Sequence, residues 1–442
     1  FLTTLKQSLE EGEITEEDIN TACRRILEAK FRLGLFDDPY RYMNAERAET
    51  DVFSQAHRNE ARKIAAESFV LLKNEKVLPL KKKGTIAVIG PMGDNAENMP
   101  GTWSVATEHK SSVSLIQGLK EVAGDEVNIL YAKGSNVVDD AAYETRFSIF
   151  GKDTKRDERS EADLTREALS VAKKADVIVV AMGEASEMSG ESSSRSEIEF
   201  PAVQRRLLTK LLATGKPVVL VLFTGRPLAL KWEHKNVPAI LNVWFPGTEA
   251  GLAIADVIFG DVNPSGKLST TFPQVTGQIP IFYNYKNTGR PLGEGKWFQK
   301  FRSNYLDVSN EPLYPFGYGL SYTEFKYGEL NLSNKSIKEG EVLTASIDVM
   351  NVGNKTGKEV IQLYIRDLVG TVTRPVKELK GFQKISFEPG ETKTIEFEVT
   401  TEDLKFYNYD LNHVWEPGEF EIMIGGNSRD VKSTKFEAVK NK

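Results

Sequence analysis

The chain has 442 residues, with 57 Lys plus Arg against 63 Asp plus Glu, a net charge of −6 and 40% hydrophobic residues. At roughly 100–200 residues per domain, that length suggests two to four domains and buries a full core without staples. The charge balance excludes a phosphate-tracking surface, no apolar run reaches the ~18 residues of a membrane-spanning helix, and the single cysteine, Cys23, excludes an internal disulfide or a Cys-based zinc site.

Neither nucleic acid nor membrane is therefore expected as a partner. Four histidines, His57, His109, His234 and His413, leave few bases for a Ser-His-Asp triad and argue against a His-rich metal site. No cofactor is expected. The first residues already read as the inside of a protein. Thr15-Glu-Glu-Asp18 has the form of a helix cap, Ile19, Cys23, Ile26, Leu27 and Phe31 recur at helical spacing, and Gly34 sits where a stop belongs. A well-capped helix so early suggests that a further domain, and with it any targeting signal, precedes Phe1. A second helix is predicted from about Ser54 to Leu72, with Ile64, Ala65, Phe69 and Leu72 on its apolar side.

From Thr85 onward, apolar β-branched runs alternate with amphipathic helices. The runs are Ile86-Ala-Val-Ile89, Val127-Asn-Ile-Leu130, Val177-Ile-Val-Val-Ala181, Val218-Val-Leu-Val-Leu-Phe223 and Ala239-Ile-Leu-Asn-Val-Trp244. The helices fall near 112–122, 163–174, 202–213 and 248–258. Strands that are apolar on both faces and separated by helices predict a parallel sheet covered on both sides. The fold class is thus α/β, a doubly wound α/β sandwich. From Phe325 the period becomes two, as in Leu343-Thr-Ala-Ser-Ile-Asp-Val-Met350 and Thr394-Ile-Glu-Phe-Glu-Val399, with turns at Glu388-Pro-Gly390 and Glu416-Pro-Gly418. That texture predicts an antiparallel β-sandwich of about 115 residues.

Ligands of doubly wound sheets bind at the carboxyl ends of strands, so chemistry is sought in the loops there. The stretch after Val177-Ile-Val-Val-Ala181 reads Met182-Gly-Glu-Ala-Ser-Glu-Met-Ser-Gly-Glu191-Ser-Ser-Ser-Arg195-Ser-Glu-Ile-Glu-Phe-Pro201. A Glu on a Gly-flanked loop can approach a substrate and act as proton donor or base, although the same composition also fits a solvated loop. Glu191, in mid-loop, is the best-placed donor. Glu184 directly follows the strand and is read as an acceptor for loop amides, and Glu197 and Glu199 as caps of the helix after Pro201. In the loop after Ile89, Trp103 fits equally a core anchor and a platform for a sugar ring. Gly90 and Gly93 do not make a dinucleotide fingerprint, and no Walker motif occurs. Gly225-Arg-Pro227 reads as a turn, Asp261 and Asn263 suit an Asx-type turn before Pro264, and Tyr314-Pro-Phe-Gly-Tyr-Gly-Leu-Ser321 reads as an interdomain linker with close backbone packing.

Taken together, Ala66-Glu-Ser-Phe-Val-Leu-Leu-Lys-Asn74, Trp244-Phe-Pro-Gly-Thr-Glu-Ala-Gly251, Phe259-Gly-Asp-Val-Asn-Pro-Ser-Gly-Lys-Leu268, Asn287-Thr-Gly-Arg-Pro291, Pro315-Phe-Gly-Tyr-Gly-Leu-Ser-Tyr322 and Arg374-Pro-Val-Lys-Glu-Leu-Lys-Gly-Phe382 resemble glycoside hydrolase family three, most closely its β-glucosidases of the bacterial periplasmic type. The likeness runs from about residue 19 to the C-terminus. It implies a division into 1–50, the last helix of a barrel and a linker; 51–324, the α/β sandwich; and 325–442, a fibronectin-III-like β-sandwich. It also implies a retaining exo-β-glucosidase whose Asp nucleophile lies in an N-terminal barrel outside this chain and whose acid/base Glu matches Glu191. Arg195 matches the Arg that follows it, and Trp103 the aromatic on the aglycone side, both as substrate-binding residues. The implied partners are a β-linked gluco-oligosaccharide or glucoside and the barrel domain, with a homodimer compatible. A periplasmic or secreted location is implied, and the chain on its own is expected to be inactive. β-Xylosidase is the substrate alternative, and a non-catalytic carbohydrate-binding or assembly module the alternative of another class. An esterase on the same architecture lacks a G-x-S-x-G elbow.

Overall fold

The computed structural model describes residues 2–105, 108–148, 152–292 and 296–440. The chain divides between Asn59 and Glu60 into two units. In the first lie helices α1 (Leu2–Glu10), α2 (Glu16–Arg32) and α3 (Arg47–Thr50), and α4 (Gln55–Ser68) begins. The start of α2 follows from its sequence. The Thr15 hydroxyl accepts from the Asp18 amide at 3.2 Å while the Asp18 carboxylate accepts from the Thr15 amide at 2.9 Å, a reciprocal capping box. Gly34, at φ +68°, ends it in the left-handed conformation that suits glycine. Ile26, Leu27 and Phe31, at helical spacing on α2, are exposed.

In the second unit a six-stranded sheet has the order β1-β6-β5-β4-β2-β3, from β1 (Val70–Asn74), β2 (Gly84–Ile89), β3 (Val127–Ala132), β4 (Val177–Gly183), β5 (Val218–Phe223) and β6 (Ala239–Asn242). Strands β2 to β6 are parallel, as the apolar runs predict. Helices α5 (Leu115–Ala123) and α10 (Ala250–Phe259) pack on one face, and α7 (Glu161–Lys173) and α8 (Ala202–Leu212) on the other. Helices α6 (Ala141–Phe147) and α9 (Lys231–Asn236) are short connectors.

One edge departs from expectation. The helix predicted to Leu72 stops at Ser68, and Val70–Asn74 instead pairs antiparallel with β6, so the sheet is mixed. The reason is burial. Phe69, Val70, Leu71 and Leu72 are all fully buried, with Phe69 and Leu71 in the core on one face and Val70 and Leu72 in the core on the other. A strand can bury consecutive residues on alternate sides, whereas an amphipathic helix buries one stripe. Ile64, expected on the buried side of α4, is exposed, whereas Ala65 is buried as expected, with Ala66 beside it.

The C-terminal β-region stacks a five-stranded sheet, β11-β10-β15-β16-β8, and a three-stranded sheet, β12-β9-β7. The strands are β7 (Phe325–Leu332), β8 (Ser336–Ile337), β9 (Leu343–Asn351), β10 (Gly357–Asp367), β11 (Glu378–Phe387), β12 (Thr392–Val399), β15 (Gly418–Gly425) and β16 (Val431–Ala438), with a small hairpin of β13 (Phe406–Tyr407) and β14 (His413–Val414) before β15. Pairing is antiparallel except for β8 on β16, a two-residue parallel edge that the period-two pattern does not reveal. Ile347, Leu363, Phe397, Ile422 and Phe436 face one another in the core between the sheets.

Polar side chains join this sandwich to the α/β domain. Lys267 meets the buried Glu359 of β10 at 3.0 Å, and the Tyr327 hydroxyl donates to the same carboxylate at 3.0 Å. Asn263 does not close its own turn as read. Its Oδ1 accepts from the Ser321 hydroxyl and the Tyr322 amide, both at 2.8 Å, and its amide nitrogen donates to the Thr356 carbonyl at 3.0 Å. Asp261 pairs with Lys82 at 2.7 Å. The stretch read as a linker bridges Phe272 through Tyr314 and Leu71 through Leu320, and Tyr314 belongs to the α/β core.

Candidate active site at the carboxyl edge of the sheet

Strand β4 ends at Gly183, whose φ of +132° and whose contact with the Phe223 carbonyl leave no room for a side chain. The Gln204 side chain from α8 clamps this turn, accepting from the Gly183 amide and donating to its carbonyl, each at 2.8 Å. The first half of the loop that follows, residues 184–191, carries three carboxylates with different surroundings.

Glu184 is fully buried. It accepts from the Arg195 guanidinium at 2.7 Å and from the Thr224 hydroxyl at 2.8 Å, with the Arg226 Nε 3.2 Å away. Its partners are thus side chains of its own loop and of the loop after β5, not the loop amides expected. Arg226 donates onward to the Met188 carbonyl and, at 2.7 Å, to the Ser193 carbonyl, so one arginine ties down both ends of the segment around Glu191.

Glu187 is also buried. Its carboxylate lies 3.0 Å from the Lys152 ammonium and accepts from the Thr102 hydroxyl at 3.1 Å. Lys152 is itself buried, and it donates to the Gly101 carbonyl and to the Ser104 hydroxyl at 3.3 Å. Asn98 adds a further link, its Oδ1 accepting from the Ser186 amide at 2.9 Å.

Glu191 is exposed. No hydrogen bond or ion pair reaches its carboxylate among the described residues. It stands between two residues at positive φ, Gly190 at +109° and Ser192 at +58°. Trp103, in the loop after β2, is 69% exposed. The two loops touch beside these residues, since a β-carbon on Gly190 would lie 2.6 Å from the Thr102 methyl. The Arg195 guanidinium is occupied by Glu184 and, at 3.0 Å, by the Glu199 carbonyl.

The expected caps of α8 are not made. Pro201 is the N-cap residue without a side-chain bond, and Glu199 instead accepts from Arg205 at 2.9 Å. Thr102, Lys152 and Arg226 escaped the sequence reading. Lys152 sits in a polar stretch without periodicity, and Arg226 sits in what read as a plain turn. Among the described residues no cluster of three or more His, Cys, Asp or Glu could hold a metal ion.

Residues 69–322 match the glycosyl hydrolase family 3 C-terminal domain and 359–428 the fibronectin type III-like domain. The chain is 46% identical to a periplasmic beta-glucosidase of Salmonella typhimurium over 97% of its own length and 56% of that protein's. It is 38% identical to a beta-xylosidase of Formosa agariphila over 98% of its length and 57% of that protein's. Among solved structures, the beta-glucosidase from Listeria innocua in complex with isofagomine aligns with a TM-score of 0.86 at 38% identity, covering 99% of this chain and 57% of that one. The chain thus spans a little over half the length of these relatives.

Proposed function

The chain belongs to glycosyl hydrolase family 3, and from that premise we propose that it carries the acid/base half of a retaining exo-β-glucosidase, with Glu191 as the acid/base. The observation that carries this reading is the contrast among the three carboxylates of residues 184–191, the first half of one loop. Glu184 and Glu187 are buried and bound to cations, while Glu191 is exposed and unengaged among the described residues. Only a carboxyl open to the substrate can protonate a departing oxygen and then take a proton from water.

A retaining site needs a second carboxyl group roughly 5–5.5 Å from the first, acting as nucleophile. In this reading the nucleophile is supplied by a barrel domain of the family. Glu191 protonates the glycosidic oxygen as the nucleophile attacks the anomeric carbon, and it later activates the water that releases glucose. The substrate is a β-linked gluco-oligosaccharide or glucoside, Trp103 and Arg195 belong to the substrate-binding region, and the setting is periplasmic or secreted, as the name of the Salmonella relative supports. The chain without its nucleophile partner does not turn over glucosides.

The test is Glu191→Ala in enzyme that contains both carboxyl-bearing domains. Turnover of disaccharides, which have poor leaving groups, collapses; aryl glucosides with good leaving groups lose less in the first step; and azide partly restores the second. Wild-type turnover of cellobiose by this variant overturns the assignment. The Formosa relative favours a second reading, β-xylosidase. A higher kcat/KM on an aryl β-xyloside than on the aryl β-glucoside decides for it.

A further inference from the structure

We propose that the buried Lys152–Glu187 pair is a positioning device that sets the width of the leaving-group subsite between Trp103 and Glu191. The proposal rests on the reading of Glu191 as acid/base and adds what holds the second sugar.

The pair joins three separate stretches of chain. Lys152 donates to the Gly101 carbonyl and to the Ser104 hydroxyl, the neighbours of Trp103 on either side of the Thr102–Trp103 step. Glu187, 3.0 Å from the ammonium, precedes Glu191 by four residues and accepts from Thr102 at 3.1 Å, and its own carbonyl accepts from the Ser193 hydroxyl at 3.0 Å. Lys152 is held from behind. The Asp153 amide donates to Glu97 at 3.0 Å, and the Asp153 carbonyl accepts from Asn95 and Asn98, each at 3.2 Å.

Both side chains of the pair are more than nine-tenths buried. In such surroundings an ion pair is strongly directional, and desolvation makes it costly to keep for stability alone. What it supplies is a fixed separation. The Trp103 loop hangs from the ammonium, the Glu191 loop from the carboxylate, and the distance between the two charges fixes the gap that a β-linked disaccharide's reducing sugar must enter. A small aryl leaving group fills less of that gap and depends on it less.

The experiment measures kcat and KM for a β-linked glucose disaccharide and for 4-nitrophenyl β-glucoside in intact enzyme, for Lys152→Arg, Glu187→Gln and the double variant Lys152→Met/Glu187→Met. The double variant leaves no lone buried charge, so it stays testable if the single variant fails to fold. The expected result is a fall on the order of tenfold in the disaccharide to aryl-glucoside ratio of kcat/KM, carried by KM, with partial retention in Lys152→Arg. The pH–rate profile keeps its limbs. An unchanged ratio in folded double variant overturns the proposal and, if Glu191→Ala is still crippled on the disaccharide, leaves the acid/base reading intact. A displaced limb of the pH profile in Glu187→Gln also overturns it, because Glu187 then titrates in the reaction. Wild-type disaccharide turnover by Glu191→Ala removes the reading on which it rests.

Discussion

Thr102 stands against Gly190: a β-carbon added to that glycine would come within 2.6 Å of the threonine methyl, and the same threonine donates its hydroxyl to Glu187 at 3.1 Å. This contact closes the loop after β2 onto the loop after β4, one residue before Trp103 and one residue before Glu191. Gly190 also sits at φ +109°, where a side chain is strained.

Gly190→Ala therefore combines backbone strain with a clash. It is expected to lower stability by about 1–3 kcal/mol and, in enzyme that also contains the proposed nucleophile domain, to reduce disaccharide turnover more than aryl-glucoside turnover. Adding Thr102→Ser removes the methyl but keeps the hydroxyl, and the pair recovers part of both losses. Thermal melts and parallel kinetics check this, and a wild-type-like single variant contradicts it.

Trp103→Ala tests the exposed indole. With 69% of the residue exposed, its removal changes stability little. With the about 0.5–1.5 kcal/mol of an aromatic pair as the scale for a sugar face on the indole, KM for disaccharides in enzyme that also contains the proposed nucleophile domain is expected to rise roughly 2- to 13-fold, with a smaller change for aryl glucosides. An equal loss on both substrates, together with a lower melting temperature, assigns Trp103 to the framework instead.

The junction between the α/β domain and the β-sandwich depends on Glu359. Its carboxylate is almost wholly buried between Lys267 and the Tyr327 hydroxyl. Glu359→Ala strands the lysine charge and is expected to cost about 3–5 kcal/mol, read from urea unfolding. Replacing both Lys267 and Glu359 with Met recovers most of that loss. A double variant as unstable as the single one shows that the hydrogen bond from Tyr327, rather than the stranded charge, carries the cost.

His234 gives a pH dependence of definite sign. Burial, reinforced by the Lys73 ammonium and opposed by Glu75, pushes its imidazole below the ordinary value of 6.5, and Nδ1 lies 2.8 Å from the Tyr314 hydroxyl. The unfolded chain then binds this proton at higher pH than the fold does. The neutral imidazole's contribution is fully present above 6.5 and is lost as pH falls through the lower folded value. Between roughly pH 7.5 and pH 5 the wild-type melting temperature is expected to fall more than that of His234→Gln. Identical slopes for the two proteins show that His234 does not contribute.

The sequence by itself determined the α/β class, the five parallel strands, the β-sandwich and the family, because burial on two faces and alternation at period two are written in neighbouring residues. Gly183, Gly190 and the cluster of carboxylates likewise marked the loop at the strand ends. Local pattern misjudged the stretch after Ser68, where burial on both sides of β1 prevailed over the continuation of a helix. Only the tertiary structure decided which carboxylates of the loop are spent. Glu184 is neutralised by arginines 11 and 42 residues further on, and Glu187 by a lysine 35 residues earlier, at sites with no periodic signal. A buried charge is set by what folds against it, and those partners, from the same loop and from neighbouring ones, follow no local periodicity.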